Sequence, residues 1–88
     1  RWSVNRSSLN KYTSQANITS SNYAATMSVH LISEATYGTS RLAKNNVAHN
    51  QGDGYASVVH QFASNYTIHH VKGTFNFPGG PEVGIENY

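Results

Sequence analysis

The chain contains Tyr55-Ala56-Ser57-Val58-Val59-His60-Gln61-Phe62 and Thr67-Ile68-His69-His70-Val71-Lys72-Gly73-Thr74-Phe75, two runs in which apolar and polar side chains alternate. Alternation with a period of two is typical of a β-strand that buries one face. The turn formers Ser64-Asn65 stand between the runs. We therefore predict two antiparallel strands joined as a hairpin.

A turn that is symmetric about Ser64-Asn65 sets the register of this hairpin. It places three pairs opposite each other: Phe62 with Thr67, His60 with His69, and Val58 with Val71. The apolar face then carries Ala56, Val58, Phe62, Val71, Phe75 and Phe77, together with His60 and His69. The other face carries Ser57, Gln61, His70, Lys72 and Thr74.

The stretch before the hairpin alternates as well. Tyr23 to Ser33 predicts a strand whose core-facing side consists of Tyr23, Ala25, Met27, Val29 and Leu31. We expect a turn at Ser33-Glu34-Ala35 and a shorter strand over Thr36 to Ala43. Lys44 to Gly54 is rich in Asn and Gly, ends in Gly52-Asp53-Gly54, and predicts a crossover loop.

The two ends carry shorter signals. Trp2 to Arg6 and Ala16 to Ser20 predict strands, and Ser7 to Lys11 predicts a helical turn capped by a serine. Pro78-Gly79-Gly80-Pro81 ends the last long strand. Val83 to Tyr88 is predicted to be either a loose tail or one short edge strand.

These elements predict one all-β domain over residues 1–88, with loose ends at 1–15 and 78–88. Strands that each have one apolar face must bury those faces against one another. We therefore expect a small antiparallel β-sandwich. A half-open barrel satisfies the same pattern, because alternation does not show whether a sheet curls onto itself.

The composition of the chain points to an exported protein. Charged residues make up 11% of the sequence, against roughly 25% in ordinary soluble domains. Cysteine is absent, which excludes disulfides, thiol chemistry and sulfur-based metal sites. The chain begins at Arg1, as a product of signal-peptide removal does, and a chain trimmed from a longer sequence would begin in the same way. The cations are scattered and no long apolar run is present, so we expect neither nucleic acid as a partner nor a membrane span.

His60 and His69 are the weak metal candidates. The predicted register puts their rings side by side on the apolar face, where two imidazoles share a metal or a proton. Zinc requires three or four ligands, and nothing nearby completes the set. We therefore favour a neutral, hydrogen-bonded pair and expect no bound metal and no cofactor. In either case, charging these rings below about pH 6 is expected to destabilise the domain.

The aromatic residues are the stronger candidates for function, because they are numerous for so small a core. Amphipathic rings among Asn and Ser suit sugars, peptides or membrane interfaces. The alternative is that tyrosines simply favour strands. The predicted binding residues are Trp2, Tyr23, Tyr37, Tyr55 and Tyr66. No nucleophile motif is present, so we do not expect an enzyme.

Residues 21–77 resemble the lactococcin 972 family of exported bacteriocins. Ser21-Asn22-Tyr23 is similar to the Ser-Asn-Tyr that precedes the first alternating strand of that family. Gly54-Tyr55-Ala56 is similar to its Gly-aromatic-Ala strand start, and Phe75-Asn76-Phe77 to its closing aromatic pair. The resemblance implies a small β-sandwich released after signal cleavage. It also implies action on Gram-positive bacteria through the cell-wall precursor lipid II and a block of septum formation.

Residues and resemblance together predict a secreted antibacterial protein that binds a component of the Gram-positive cell envelope. That component is expected to be a cell-wall precursor or an envelope polymer. The alternative is a non-toxic extracellular binding or structural module of the cell surface.

Overall fold

The computed structural model describes residues 2–6, 11–77 and 83–87, with side chains for residues 11–77. The described residues form seven strands and no helix. The strands are β1 (Trp2–Arg6), β2 (Thr13–Thr19), β3 (Ser28–Tyr37), β4 (Ser40–His49), β5 (Tyr55–Gln61), β6 (Thr67–Asn76) and β7 (Val83–Asn87).

The strands form two antiparallel sheets packed face to face. The three-stranded sheet has the order β1-β2-β5, and the four-stranded sheet has the order β4-β3-β6-β7. Every described strand pair is antiparallel. The predicted β-sandwich is therefore confirmed, and the two sheets do not join into a closed barrel in the part of the chain that the structure describes.

The core lies between the sheets and consists of small and medium apolar side chains. Alternate residues of each strand supply it, as the period of two requires. Its buried members are Ala16, Ile18, Met27, Val29, Leu31, Ala35, Ala56, Val58, Phe62, Ile68, Val71 and Phe75. Phe77 is partly buried and packs against this core, so all six apolar residues predicted for the core face of the second half contribute to it.

The predicted hairpin between β5 and β6 is wrong, although the extents of both strands are confirmed. β5 pairs with β2, whereas β6 pairs with β3. Residues 62–66 cross from one sheet to the other, so the two apolar faces meet across the core instead of lying side by side. Phe62 is buried within this crossing. Two layers that face each other bury both apolar faces, which a single hairpin cannot do.

A β-bulge changes the faces of β6. Glu34 pairs with His70 and the next residue, Ala35, pairs with Ile68, so His69 is the extra residue. Ile68 and Val71 are consequently both buried, and His69 is only half-buried. The prediction that His69 lies on the core face is wrong, because strict alternation does not anticipate the inserted residue.

The first long hairpin differs from the prediction. The predicted turn at Ser33-Glu34-Ala35 is wrong, because β3 continues through the buried Ala35 and turns at Gly38-Thr39. The predicted loop from Lys44 is shorter and begins only after β4, at Asn50. The buried Ser33 hydroxyl is satisfied by side chains across the core, so it needs no turn to satisfy it.

The strand predicted from Tyr23 begins only at Ser28. Met27, Val29 and Leu31 are buried as predicted, whereas Tyr23 lies in a turn and is 65% exposed. Ala25 is half-buried and also precedes the strand.

Both ends contain strands. The predicted strands near Trp2–Arg6 and Ala16 to Ser20 are confirmed as β1 and β2. β7 pairs with β6 at the edge of the four-stranded sheet, which confirms the edge-strand alternative. Two predictions fall on residues that the structure does not describe. They are most of the helical turn predicted over Ser7 to Lys11, and the strand end predicted at Pro78-Gly79-Gly80-Pro81.

Candidate functional site

A chain of polar side chains crosses the core between the two sheets. Ser14 Oγ of β2 lies 2.6 Å from Ser33 Oγ of β3. Ser33 Oγ lies 2.8 Å from His60 Nδ1 of β5. His60 Nε2 lies 2.8 Å from Asn46 Oδ1 of β4. Four strands, two from each sheet, are thereby joined through side chains.

The direction of these bonds follows from their acceptors. The amide oxygen of Asn46 only accepts, so His60 donates from Nε2 and its Nδ1 accepts from the Ser33 hydroxyl. Ser33 Oγ then accepts from Ser14. Burial lowers the pKa of His60 below 6.5, and the charge of Lys44 and the proximity of His30 lower it further. The ring is therefore held neutral in the middle of a satisfied network.

Ser33, His60 and Asn46 have the residue types of a nucleophilic triad, but their placement is structural. Ser33 has no exposed surface and His60 is 2% exposed. A nucleophile must reach a substrate at about hydrogen-bond distance. Because the serine and the histidine are both buried, this cluster ties the two sheets together and presents no nucleophile to solvent.

One asparagine organises the loop between β4 and β5. Asn50 Oδ1 accepts hydrogen bonds from the backbone N–H groups of four successive residues, at 2.9–3.3 Å: Gly52, Asp53, Gly54 and Tyr55. Asn50 Nδ2 donates to the carbonyls of Tyr23 and Ala25. The loop is thus fixed to the turn before β3. A loop held this firmly presents its side chains in one arrangement.

The absence of a side chain at Gly54 allows that loop to pack closely against Tyr23. Its φ of +75° lies in the region that favours glycine, and a Cβ built on it meets Tyr23 Cδ1 at 2.5 Å and the Ser20 carbonyl oxygen at 2.6 Å. The Gly54 carbonyl accepts a hydrogen bond from the Ser20 N–H at 2.9 Å. Tyr23 therefore stands against the loop, with most of its surface in solvent.

A cleft of about 500 Å³ opens beside this loop, and we call it the tyrosine cleft. It is lined by Val47, Ala48, His49, Gln51, Asp53, Tyr55, Ala56 and Ser57. Tyr55 is 45% exposed, and its hydroxyl donates to Asn17 Oδ1 at 3.4 Å. The cleft thus combines an accessible ring with a carboxylate, an amide and an imidazole.

Polar side chains extend from the cleft across the outer surface of the three-stranded sheet. Gln15 Nε2 lies 3.1 Å from Asn17 Oδ1 and 3.3 Å from Ser57 Oγ. Asn17 pairs with Ser57 in the ladder. Amide and hydroxyl groups therefore continue the binding surface beyond Tyr55.

A second aromatic surface lies at the opposite end of the sandwich. The Tyr37 and Tyr66 rings are 5.9 Å apart, and the Tyr66 and Phe62 rings are 6.5 Å apart. Lys44 Nζ lies 5.3 Å from the centre of the Phe62 ring and donates to the Gln61 carbonyl at 2.8 Å. We call this cluster, with Leu42, the aromatic end.

The structure divides the predicted binding residues between these two surfaces. Tyr23 and Tyr55 lie beside the loop of Asn50, and Tyr37 and Tyr66 lie at the aromatic end. The Trp2 side chain lies outside the described residues.

The predicted pairing of His60 with His69 is wrong, since they lie in different sheets. His69 Nε2 instead lies 3.6 Å from Glu34 Oε1. Among the described residues, no group of three histidines and carboxylates converges on a possible metal position.

Sequence reasoning missed the residues that surround Tyr55. The sequence pattern predicts only a loop for His49, Gln51 and Asp53, and indicates no more than a turn former at Asn50. The sequence does contain a signal for the role of Asn50. This residue stands two residues before Gly52-Asp53-Gly54, where an asparagine side chain can accept hydrogen bonds from the backbone of a tight loop.

Compared with known proteins, the chain matches no family model, and no curated protein and no solved structure is significantly similar to it. The structure itself adds one finding on membranes. Within the residues described, no helix has the length and apolar character needed to cross a bilayer.

Proposed function

We propose that this chain is a secreted, bacteriocin-like antibacterial protein that binds a saccharide-bearing component of the Gram-positive cell envelope. The observation that carries the binding half of the proposal is the tyrosine cleft. An exposed ring, a carboxylate and amides converge there on one loop fixed by Asn50.

The chemistry of the cleft suits a saccharide. A sugar presents an apolar ring face, which stacks on an aromatic ring, and hydroxyls that bond carboxylates and amides. Tyr55 supplies the first kind of contact, and Asp53 and Gln51 supply the second. The polar surface of Gln15, Asn17 and Ser57 extends the contact area along a chain of sugars.

The antibacterial half of the proposal rests on the resemblance of residues 21–77 to the lactococcin 972 family. Export is supported by the small charged fraction of 11%. The alternative is a non-toxic extracellular binding module, which the same cleft would serve equally well.

Binding to isolated Gram-positive cell walls tests the first half. Tyr55→Ala is expected to weaken retention about fivefold to tenfold, because an aromatic contact contributes about 1 kcal/mol beyond its buried area. Tyr37→Ala is the matched control, since it removes the same side chain at the opposite end and should leave retention unchanged. Equal retention of the Tyr55→Ala variant and the parent chain would remove the cleft from the proposal.

Growth inhibition tests the second half. The purified chain is expected to clear lawns of sensitive Gram-positive strains, and the Tyr55→Ala variant to clear them only at higher concentration. Retention on cell walls without inhibition of any strain in a broad panel would favour the non-toxic module.

A further inference from the structure

We propose that the aromatic end, defined above by Tyr37, Leu42, Lys44, Phe62 and Tyr66, docks on the surface of an anionic lipid bilayer. This inference is independent of the saccharide-binding function proposed for the tyrosine cleft. It rests on the uncovered apolar side chains at this end and on the charges around them.

The apolar side chains belong to the core-facing side of the four-stranded sheet. Leu42 pairs with the fully buried Ala35, and Tyr37 follows Ala35 by two residues, so all three share one face. Yet Tyr37 is 54% exposed and Leu42 is 46% exposed. The tip of the β3–β4 hairpin therefore carries core-type residues that the described part of the chain leaves in solvent.

These exposed residues stand on a rigid base. Phe62 is 5% exposed and belongs to the hydrophobic core. Tyr66 packs against that core and contacts both Phe62 and Tyr37. The exposed Tyr37 ring is thus held in place before any partner arrives, which reduces the entropy lost on docking.

The charges at this end are predominantly positive among the described residues. Lys11, Arg41 and Lys44 are all exposed here. The Lys11 carbonyl accepts from the Ile68 N–H, which places Lys11 beside the start of β6. Of the two carboxylates whose side chains are described, Asp53 lies in the loop at the opposite end. Glu34 lies near the aromatic end, where it faces His69, so three cations outnumber one carboxylate here.

Cations beside tyrosines match the interfacial region of an anionic bilayer. Tyrosine rings lie at the level of the headgroups, and each Lys or Arg near an anionic surface strengthens binding.

Vesicle flotation tests the inference with two preparations, phosphatidylcholine alone and phosphatidylcholine with phosphatidylglycerol. The chain is expected to float only with the anionic vesicles and to be released as salt rises. Tyr37→Ala and the double variant Lys11→Gln/Arg41→Gln should each lower the partition coefficient, the double variant by about fivefold per cation. Circular dichroism checks that each variant is folded. Because the two variants change different side chains, the inference can still be tested if one of them fails to fold.

Matched controls are available on other surfaces. Lys72→Gln removes a cation from the middle of β6, and Tyr55→Ala removes a tyrosine from the cleft, so both should float like the parent chain. The inference would be overturned if the parent chain floated equally well with neutral and with anionic vesicles. It would also be overturned if the two control variants lost as much flotation as the test variants. Capture by a soluble polyanion without vesicle binding, or a dimer that Tyr37→Ala dissociates, would overturn it as well.

Discussion

Ser33 Oγ in the four-stranded sheet lies 2.8 Å from His60 Nδ1 in the three-stranded sheet. This hydrogen bond is the middle one of the chain of side-chain bonds that crosses between the two layers. In the neutral ring Nδ1 accepts from the Ser33 hydroxyl, whereas a protonated ring could only donate at Nδ1, so protonation would reverse this bond inside the core.

The stability of the domain is expected to fall in acid. Burial lowers the pKa of His60 in the folded chain below 6.5, so the unfolded chain takes up a proton at higher pH than the folded chain does. Full stability is therefore present above pH 6.5, and it falls by up to about 1.4 kcal/mol per pH unit as the pH drops below that value. Urea unfolding between pH 8 and pH 5 measures this slope.

A variant at His60 identifies the source of the slope. His60→Gln should be less stable at pH 8 but should lose less stability on acidification than the parent chain. His49→Gln is the control, since the exposed His49 side chain lies outside this network. A slope that persists unchanged in His60→Gln would contradict the assignment.

The two buried serines are expected to differ in their contribution to stability. Ser33→Ala removes the donor to His60 and the acceptor of Ser14, so it leaves two buried groups unpaired and should destabilise by about 2–3 kcal/mol. Ser14→Ala leaves the Ser33–His60 bond intact and should destabilise by about 1 kcal/mol. Chemical denaturation of both variants at pH 8 measures the difference. An equal loss would mean that the chain of bonds does not run in the order described.

Gly54 is expected to tolerate a side chain less well than Gly52. Both have positive φ, but a Cβ at Gly52 has no atom within 4 Å, whereas one at Gly54 lies 2.6 Å from the Ser20 carbonyl oxygen. Gly52→Ala should therefore destabilise by about 1–2 kcal/mol from backbone strain alone. Gly54→Ala adds a steric clash with backbone and should lose about 1–3 kcal/mol more. Thermal unfolding of the two variants tests this, and similar melting temperatures would contradict it.

Deletion of His69 is expected to preserve the fold. Ile68 already pairs with Ala35 and His70 with Glu34, so removing the residue between them leaves a regular ladder with Ile68 and Val71 facing the core. Deletion of Lys72 is the matched control, because it shifts one side of a regular ladder by one residue. Proton–nitrogen NMR spectra should show a dispersed, folded pattern for the first variant and its loss for the second. Unfolding of both would argue against the bulge.

Alternation in the sequence predicts which residues of the strands are buried, because side-chain direction depends only on local backbone geometry. Met27, Val29, Leu31, Val58 and Phe75 are all buried as their pattern indicates. Partner choice depends instead on which layer a strand joins, and residues 62–66 read equally well as a tight turn or as a crossing. That ambiguity is why the pairing of His60 with His69 was wrong.

Polar residues in strands were the second source of error. Asn45 and Asn46 read as loop formers, yet both lie in β4, where they pair with His30 and His60. Asparagine favours loops because its side chain competes for backbone hydrogen bonds. Here each asparagine side chain bonds a histidine instead, Asn45 within its own sheet and Asn46 across the core. The tyrosines of the candidate site were identified from composition, whereas their separation into two surfaces depends on the tertiary fold.

The order of strands within the two sheets has a consequence for how the chain acquires its structure. β3 lies between β4 and β6, and β2 lies between β1 and β5, so each central strand needs a neighbour from beyond residue 54. Such distant pairings form slowly, because the chain loses the entropy of closing a long loop before any contact between the strands offsets that loss. Neither layer can be completed until the last third of the chain is present. Folding is therefore expected to be a late, all-or-none event on the scale of milliseconds to seconds.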